Sequence, residues 1–432
     1  MGRPKKMYSS GSGYVPKKVS SLEGAEDFLA GEDQLVDAIL RKFQRFSRVY
    51  GFAKAELPLL EESRLYAQFY KDHPEKLAQI GLLAQSEQIS VRPTLLPSVL
   101  RAYYQHKLFD LAPFHKWMYL GAVAGLDTEK GKISQDYEFG LEIFGTFSHL
   151  AEAQTIAAIW EFLQGLGLVE ATLEINNIGD VACQRVYQDN LGDFLSSRKL
   201  DLCDNCNRHM QNRVLNVLRC GNLDCQAVVS EAPTILDFLS EESNRQFTNI
   251  LEALDELEIP YQLNPLYVGP SGHSRTNFAI KYKLKDQILL IGEGGYHDSL
   301  MQNLCGKNYC AFGFVGSLLK IHAVLKELKA EVEREHVSEV FLVPLGDLAA
   351  KRSLRLFRDL TGHKIVVNDN FGHVGVKNQL KAAETARAPI ALIIGQKEAI
   401  EEMVILRDVK SGMQEIISYD KIVEEVKKRL GK

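Results

Sequence analysis

The chain has 432 residues, of which 45% are hydrophobic and 25% are charged, and this is the balance of a soluble globular protein. No run approaches the roughly 18 uncharged apolar residues of a membrane span, and no apolar segment of a secretory signal follows the basic amino terminus. The formal charge of −5 argues against a protein that coats nucleic acid, although it leaves room for a local basic face. We therefore expect a cytoplasmic protein without membrane insertion.

Residues 1–20 predict a disordered basic tail. Its cations stand among Gly, Ser and Pro, a composition that does not support a packed core. They are Arg3, Lys5, Lys6, Lys17 and Lys18. Such a tail could contact phosphates, but a plain solubilising role is the favoured interpretation.

Residues 21–325 predict one α+β domain. Apolar residues recur at helical spacing between Leu22 and Phe52, and long alternating stretches follow as strands. The segment Met118–Gly145 indicates a hairpin, residues 261–292 indicate two or three further strands, and residues 315–334 indicate a helix. Long antiparallel strands flanked by helices are typical of an α+β fold.

The second strand of this hairpin poses a question of function. Because side chains on a strand alternate with period two, Asp136, Glu138 and Glu142 share one face, while its apolar residues take the other. The carboxylates form either a solvated face or the floor of a pocket for something cationic.

Residues 337–432 predict a separate small α/β domain with a mixed sheet. Strand and helix patterns alternate there, from EVFLVPL and DLAAKRSLRLFRDL to the final helix DKIVEEVKKRL.

Four of the seven cysteines fall in one segment at about residues 195–230. They are Cys203, Cys206, Cys220 and Cys225. A Cys-x-x-Cys pair followed by a second pair is the pattern of a structural zinc site, although the second spacing is four residues rather than two. Reduced thiols in an inserted module are the alternative, and a disulfide is the least favoured reading for a cytoplasmic protein.

Taken in order, these segments resemble the histidyl-tRNA synthetase family, a class II synthetase family, from about Gly24 onward. YGFAKAELPLLEE resembles its first motif, the hairpin its motif 2, and GFVGSLLKI its motif 3. KNQLKAAETARAPIALIIGQKEA resembles its anticodon-binding domain, and the cysteine segment occupies its inserted module. The resemblance implies a class II antiparallel-sheet domain with an inserted four-cysteine module, a homodimer, and tRNA as a partner.

The catalytic positions of that family are altered here. The motif 2 arginine that grips the ATP α-phosphate is replaced by Ala124 or Gly125, and the motif 3 arginine position holds Lys320. Residues 268–273, VGPSGH, stand in place of the family's Arg-Gly-Leu-Asp-Tyr-Tyr signature. Thr94 stands where a glutamate of the family binds the histidine amino group, and the nearby Arg92 is retained. Losing one preorganised donor costs on the order of 10²–10³ in rate.

Three hypotheses follow from these departures. The first is a protein deficient in histidine adenylation that binds tRNA or another partner and makes doubtful use of ATP. The second is a divergent histidine–tRNA ligase with substitute cations, which would be chosen from Lys130, Lys132, Arg275 and Lys320. The third is a regulatory subunit of histidine biosynthesis, a class that lacks the anticodon domain and keeps its histidine pocket.

The resemblance also suggests which residues to examine. Glu142 matches a family glutamate at the histidine pocket, and Glu138 replaces a glutamine there. The predicted pocket residues are therefore Arg92, Thr94, Glu138 and Glu142. For RNA contact we select residues that open a helix beside a glycine-containing loop, namely Lys377, Asn378, Gln379 and Lys381. A solvated helix face is the alternative for this second group.

Overall fold

The computed structural model describes residues 21, 22, 25, 27–29, 33–71, 77, 80, 82, 83, 86–127, 132–270, 272–307, 309–330, 338–369 and 375–432. The predicted basic tail and Lys130 lie outside these ranges. The chain divides into two compact units, Met1–Val332 and Glu333–Lys432. Within the described ranges, no helix is both long and apolar enough to cross a membrane.

The first unit is built on a large, mainly antiparallel sheet. Its strands in chain order are β1 (Ala53–Ala55), β2 (Leu60–Glu62), β3 (Leu82–Leu83), β4 (Ser86–Val91), β5 (His115–Asp127), β6 (Lys132–Phe144), β7 (Ala171–Asn177), β8 (Gln262–Leu263), β9 (Ser274–Leu284), β10 (Gln287–Tyr296) and β11 (Ala311–Ser317). Eight of them form the order β1-β5-β6-β11-β10-β9-β7-β8, in which only the outer pairs β1–β5 and β7–β8 are parallel. Strands β2, β4 and β3 form a small separate sheet.

Helices cover both faces of the large sheet. The α-helices described in the first unit are α1 (Asp33–Val49), α2 (Ser63–Phe69), α3 (Leu96–Gln105), α4 (His149–Gly165), α5 (Val181–Ser197), α6 (Asp204–Asn212), α7 (Leu223–Ser230), α8 (Glu241–Glu256), α9 (Asp298–Cys305) and α10 (Leu318–Glu327). Helices α1, α4 and α8 pack on one face through Phe43, Phe162 and Phe247. On the other face, the Tyr103 ring of α3 stacks on Phe144 at 4.0 Å.

The hairpin β5–β6 confirms the alternation expected from the sequence. Phe139, Leu141 and Ile143 are buried in the core beneath α1 and α4. Glu138 pairs with Gly121 and Glu142 with Trp117 across the hairpin, so the carboxylates point to the face that carries α3. The buried apolar side fixes the register, because a slip of one residue would place these carboxylates in the core.

The second unit is a small α/β domain with a mixed five-stranded sheet. Its strands are β12 (Val340–Pro344), β13 (Val367–Asp369), β14 (Ile390–Ile394), β15 (Met403–Asp408) and β16 (Gln414–Ser418), and its helices are α11 (Asp347–Gly362), α12 (Val376–Thr385), α13 (Gln396–Glu401) and α14 (Tyr419–Leu430). The order is β13-β12-β14-β15-β16. This unit and the α+β sheet of the first unit confirm the predicted fold class.

The predicted helix at residues 315–334 begins later than expected. Residues Ala311–Ser317 form β11, which pairs with β6 and β10, and α10 starts only at Leu318. Gly316 must stay without a side chain, because a Cβ there would lie 2.5 Å from the Phe139 ring. Pairing with β6 and β10 therefore favours a strand here, and the local periodicity of the sequence does not reveal this pairing.

Candidate ligand cavity and cysteine cluster

A cavity of about 480 Å³ opens on the α3 face of the large sheet. Strands β6, β10 and β11, the start of α10 and the loop before β9 contribute to its wall. The polar side chains that line it are Tyr70, Thr94, Ser134, Asp136, Glu138, His273, Glu293, His297, Ser317 and Lys320. The predicted residues Thr94 and Glu138 are thus brought together, and Lys320 joins them.

Glu138 is held at the amino terminus of α3. Its Oε2 accepts hydrogen bonds from Thr94 Oγ1 at 2.9 Å and from the Leu95 backbone N–H at 2.7 Å. Burial outweighs these two bonds and raises the pKa of Glu138 to about 7. Neighbouring Asp136 adds to this rise. Thr94 therefore orients the carboxylate of Glu138 in this structure, whereas the family pattern has a glutamate at the position of Thr94 itself.

Glu142 lies fully buried beside the cavity and pairs with His297. Glu142 Oε1 and His297 Nδ1 are 2.8 Å apart, and their side chains are 0% and 1% exposed. Glu142 Oε2 has no hydrogen-bond partner within the described part of the chain. Burial raises the pKa of Glu142, and His297 acts against this rise. A Cβ at Gly313 would lie 2.1 Å from Oε2, so glycine is required there.

A second imidazole faces the same cavity. Asn277 Nδ2 donates to the carbonyls of Ser274 and Arg275 at 3.2 and 3.0 Å, which identifies Asn277 Oδ1 as the acceptor for His273 Nδ1 at 3.0 Å. The two imidazole rings lie 4.5 Å apart. Burial, reinforced by His297, holds the pKa of His273 well below its usual range. The neutral ring therefore keeps Nε2 as an acceptor.

Sequence reasoning missed His297, which was not among the residues selected for the pocket. The available signal was a histidine directly after Tyr296, the last residue of β10. Nothing local in IGEGGYHDSL indicates that its partner is a glutamate 155 residues earlier in the chain.

Arg92 is not among the described residues that line the cavity. Its Nε donates to the Ala122 carbonyl at 2.8 Å, and its Nη1 donates to the carbonyls of Leu57 and Pro58 at 2.8 and 2.9 Å. A Cβ at Gly121 would lie 2.2 Å from Nη2, so the guanidinium covers that glycine. Arg92 thus ties the Leu57–Pro58 segment to β5, and its Nε and Nη1 atoms both donate to backbone carbonyls.

The three substitute cations that lie within the described residues are in different places. Lys320 lines the cavity. The Arg275 guanidinium stacks 4.7 Å over the Phe147 ring, donates to Gln246 Oε1 at 3.3 Å, and lies 3.9 Å from Asp298 Oδ2. Arg275 and Lys132 are absent from the described residues that line the cavity.

The alternation of side chains along β5 places the two positions considered for the missing motif 2 arginine on opposite faces of the sheet. Gly125 pairs with Ser134, a cavity-lining residue, and has the same phase as Gly121. Ala124 faces the opposite side of the sheet, because neighbouring residues of a strand alternate. Of the two positions, Gly125 is the one on the cavity face.

The four clustered cysteines converge as predicted. Their Sγ atoms all lie within 4.8 Å of one another, and Cys203 Sγ is 3.9 Å from Cys220 Sγ. A tetrahedral zinc with Zn–S bonds of about 2.3 Å would place its sulfurs about 3.8 Å apart. Backbone N–H groups also point at the sulfurs, including that of Cys203 toward Cys225 Sγ at 3.2 Å. The donor set therefore fits a metal ion closed off by four thiolates.

The residues selected for RNA contact divide into two groups. Lys377, Asn378 and Lys381 are exposed on α12. Gln379 is 2% exposed and its Nε2 donates to the Pro344 carbonyl at 2.9 Å, which attaches α12 to the end of β12. Gln379 therefore serves the fold of the second unit, and three residues stay available at the surface.

A large antiparallel sheet that carries a ligand cavity, followed by a small mixed α/β unit, is the architecture of a class II aminoacyl-tRNA synthetase with an anticodon-binding domain. The family model described as Histidyl-tRNA synthetase matches residues 24–321, and the one described as Anticodon binding domain matches residues 339–429. The chain belongs to the histidyl-tRNA synthetase family, which confirms the resemblance.

Individual relatives agree with this assignment. A histidine–tRNA ligase of Desulfotalea psychrophila is 28% identical over 400 residues, 92% of this chain and 93% of that protein. One from Caldicellulosiruptor bescii is 25% identical over 421 residues, 96% of this chain and all of that protein. Among solved structures, the apo histidyl-tRNA synthetase of S. aureus aligns with a TM-score of 0.79 at 23% identity, covering 95% of this chain and 100% of its own.

A regulatory relative has a similar fold. The structure described as an ATP phosphoribosyltransferase regulatory subunit/histidyl-tRNA synthetase from Bacillus halodurans C aligns with a TM-score of 0.63 at 17% identity, covering 88% of this chain and 99% of that one. At this identity the likeness concerns the fold alone.

Proposed function

We propose that this chain is a member of the histidyl-tRNA synthetase family that has lost histidine adenylation and acts by binding tRNA or a protein partner. The observation that carries the proposal is the charge of the cavity. Among its described lining residues, Lys320 is the one lysine or arginine, against the carboxylates of Asp136, Glu138 and Glu293. Such a site suits a cation or a donor-rich group better than a triphosphate.

The repulsion energy between like charges and the rate lost with each missing donor both support a loss of adenylation. Two like charges 6 Å apart repel by about 3 kcal/mol at an effective dielectric constant of about 20. Adenylation also needs donors aimed at developing negative charge, and each missing donor costs on the order of 10²–10³ in rate. The neutral His273 ring offers an acceptor rather than replacement charge, and His297 is engaged with Glu142.

One observation supports the alternative that the chain is a divergent histidine–tRNA ligase. Lys320 reaches the cavity from the start of α10, where its own backbone N–H donates to Ser317 Oγ at 3.2 Å. A lysine supplies a point charge and lacks the planar fork with which arginine grips phosphate. Arg275, engaged with Phe147 and Gln246, would have to leave these partners to assist. No comparable observation favours a regulatory subunit of histidine biosynthesis.

RNA binding is assigned to the second unit, which the anticodon-binding family model covers. Lys377, Asn378 and Lys381 place two positive charges and an amide on one exposed segment of α12. Contacts of this kind bind phosphates without reading sequence, so affinity should fall steeply with salt.

The proposal also includes a structural zinc at the four-cysteine cluster and a homodimer. Zinc is supported by the convergence of four sulfurs at tetrahedral spacing. Dimerisation is supported by apolar side chains exposed in and near the first motif, among them Val49 at 78% and Leu59 at 48%. The cytoplasm remains the proposed compartment, since thiolate metal ligands need reducing conditions.

Calorimetric titration of the metal-loaded chain with ATP and with histidine tests the proposal. We expect no saturable heat with ATP. Saturable ATP binding that is lost in Lys320→Ala, but kept in the exposed control Lys283→Ala, would instead support the ligase hypothesis.

A further inference from the structure

The four clustered cysteines differ in exposure and in backbone setting. Cys206 and Cys225 are buried and lie inside the helices α6 and α7, whereas Cys203 and Cys220 are half-buried and lie outside both helices. Cys203 caps the start of α6, and Cys220 directly follows a 3₁₀ helix. Two of the four sulfurs are therefore held in the interior, and two lie near the surface.

The two half-buried sulfurs are also close to each other. Cys203 Sγ and Cys220 Sγ lie 3.9 Å apart, and a disulfide needs about 2.0 Å. The segment of Cys220 has room to close this gap, because no described atom beyond the chain neighbours lies within 4 Å of a Cβ built on Gly221. Cys206 and Cys225, in contrast, are packed in an apolar cluster. The pair that can approach is therefore the half-buried pair.

A surface pocket of about 540 Å³ gives small molecules access to Cys203. Arg198, Asn222 and Glu231 contribute polar side chains to its wall. Arg198 Nη1 donates to Glu231 Oε2 at 2.8 Å, so these two opposite charges balance each other. A small, uncharged oxidant such as a hydroperoxide thus has a path to this sulfur.

We propose that Cys203 and Cys220 are a redox-active pair that hydroperoxides oxidise to a disulfide, with release of the metal ion from the cluster. A tetrahedral thiolate site cannot keep its ion when two of its ligands are joined, because the sulfurs of a disulfide are no longer thiolates. The release of metal rests on the zinc site proposed above for this cluster.

The reaction is a two-electron oxidation of the two sulfurs. The Cys203 thiolate attacks one oxygen of hydrogen peroxide, so that an S–O bond forms, the O–O bond breaks and hydroxide leaves. The Cys220 thiolate then attacks the Cys203 sulfur, so that the S–S bond forms, the S–O bond breaks and a second hydroxide leaves. Two protons from solvent convert the hydroxides to water, and the peroxide has gained the two electrons that the sulfurs lost.

The disulfide would act on the fold of the cysteine module, which spans residues 198–231. Its helices α6 and α7 each carry one buried cysteine that would be left without the shared ion. Helices this short depend on tertiary contacts rather than on their own propensity. Oxidation should therefore loosen α6 and α7, and reduction in the presence of zinc should restore them.

The test treats the metal-loaded full chain with increasing hydrogen peroxide, maps its disulfides by mass spectrometry and measures released metal with a chromogenic chelator. We expect the first disulfide to join Cys203 and Cys220, with one metal ion released per disulfide and faster hydrogen exchange in α6 and α7. Dimedone, which traps sulfenic acids, should label Cys203 in preference to Cys220. Dithiothreitol with added zinc should reverse the metal release and the faster exchange.

Cys305→Ser is the matched control, because Cys305 lies outside the cluster, and this variant should release metal at the same peroxide concentration as the parent. The proposal is overturned if the first disulfide joins another pair, if metal leaves before the disulfide forms, if dimedone labels Cys220 in preference, or if no disulfide forms at a peroxide concentration that oxidises free cysteine. Unchanged hydrogen exchange after complete oxidation would contradict the effect on the module. A chain that is purified without metal would contradict the zinc assignment alone, since the disulfide mapping still decides the redox step.

Discussion

Glu138 accepts two hydrogen bonds, yet its ionised form is disfavoured in the folded protein. Two hydrogen bonds from Thr94 and Leu95 stabilise its charge, yet burial and Asp136 raise its pKa to about 7. In the unfolded chain a glutamate titrates at about 4.3. Between these values the folded protein holds a proton that the unfolded chain has released, so the contribution of Glu138 to stability falls as the pH rises from about 4.5 to 7.

Replacing Glu138 by glutamine should remove this pH dependence. The amide oxygen of glutamine can still accept the bonds from Thr94 and Leu95, but it carries no charge to bury. We expect Glu138→Gln to match the parent in free energy of unfolding near pH 5 and to exceed it by up to about 3 kcal/mol near pH 8. Denaturant unfolding at several pH values measures the difference.

Glu256→Gln is the matched control, because Glu256 is exposed on α8. Its difference from the parent should stay constant with pH. A Glu138→Gln variant that is less stable than the parent at pH 8, or a difference that does not grow with pH, would contradict the account of this site.

At the same scale, the sequence predicts which residues share a face but not what they touch. The alternation of β6 correctly places Asp136, Glu138 and Glu142 on one side, because period two is a property of the strand itself. Arg92 was expected in the pocket, yet its partners are the carbonyls of Leu57, Pro58 and Ala122. That contact is set by how the Leu57–Pro58 segment packs against β5, which is long-range information.

At the scale of elements, the cysteine module is the segment whose fold a bound ion would stabilise most. It consists of short helices around a small apolar cluster, and it brings four sulfurs within 4.8 Å of one another. Four thiolates held this close repel one another unless a cation balances them. A metal ion would therefore contribute directly to the folding of α6 and α7.

We predict about one zinc per chain and its loss in Cys206→Ser. Cys206 is buried within the cluster, whereas Cys305 lies outside it and donates to the Met301 carbonyl at 3.1 Å. Cys305→Ser should keep the metal. Elemental analysis measures the ion, and limited proteolysis should cut Cys206→Ser within residues 198–231 faster than the parent. Equal metal content in the two variants would refute the assignment.

Element types were easier to predict than element limits. The helices of the second unit and the hairpin follow from periodicity, but the helix expected at residues 315–334 begins at Leu318 after a strand. The segment FGFVGS carries both apolar residues and glycines, and only the neighbouring β6 and β10 decide in favour of a strand. The cysteine cluster was predictable because a Cys-x-x-Cys pair followed by a second cysteine pair is typical of four sulfurs that surround one metal ion.

For the whole molecule, we assign RNA binding to the second unit, whereas the ligand cavity belongs to the first unit. The second unit matches the anticodon-binding family model over residues 339–429, while Lys320 is the one lysine or arginine among the described residues that line the cavity of the first unit. We expect a double variant, Lys377→Ala with Lys381→Ala, to weaken tRNA binding and to reduce the slope of log affinity against log salt by about one per lysine that contacts phosphate.

Filter binding or fluorescence anisotropy at several salt concentrations measures this slope. Lys397→Ala removes an exposed lysine from α13 and serves as the control. If the double variant binds tRNA with the same affinity and slope as the parent, the helix α12 is a solvated face and the RNA contact lies elsewhere.

We expect that the cavity does not adenylate histidine. The decisive measurement is histidine-dependent exchange of pyrophosphate into ATP on the metal-loaded chain. We predict no exchange above that of a reaction without histidine. Exchange well above this background that is abolished in Lys320→Ala would contradict the claim and would identify the chain as a histidine–tRNA ligase with a rebuilt site.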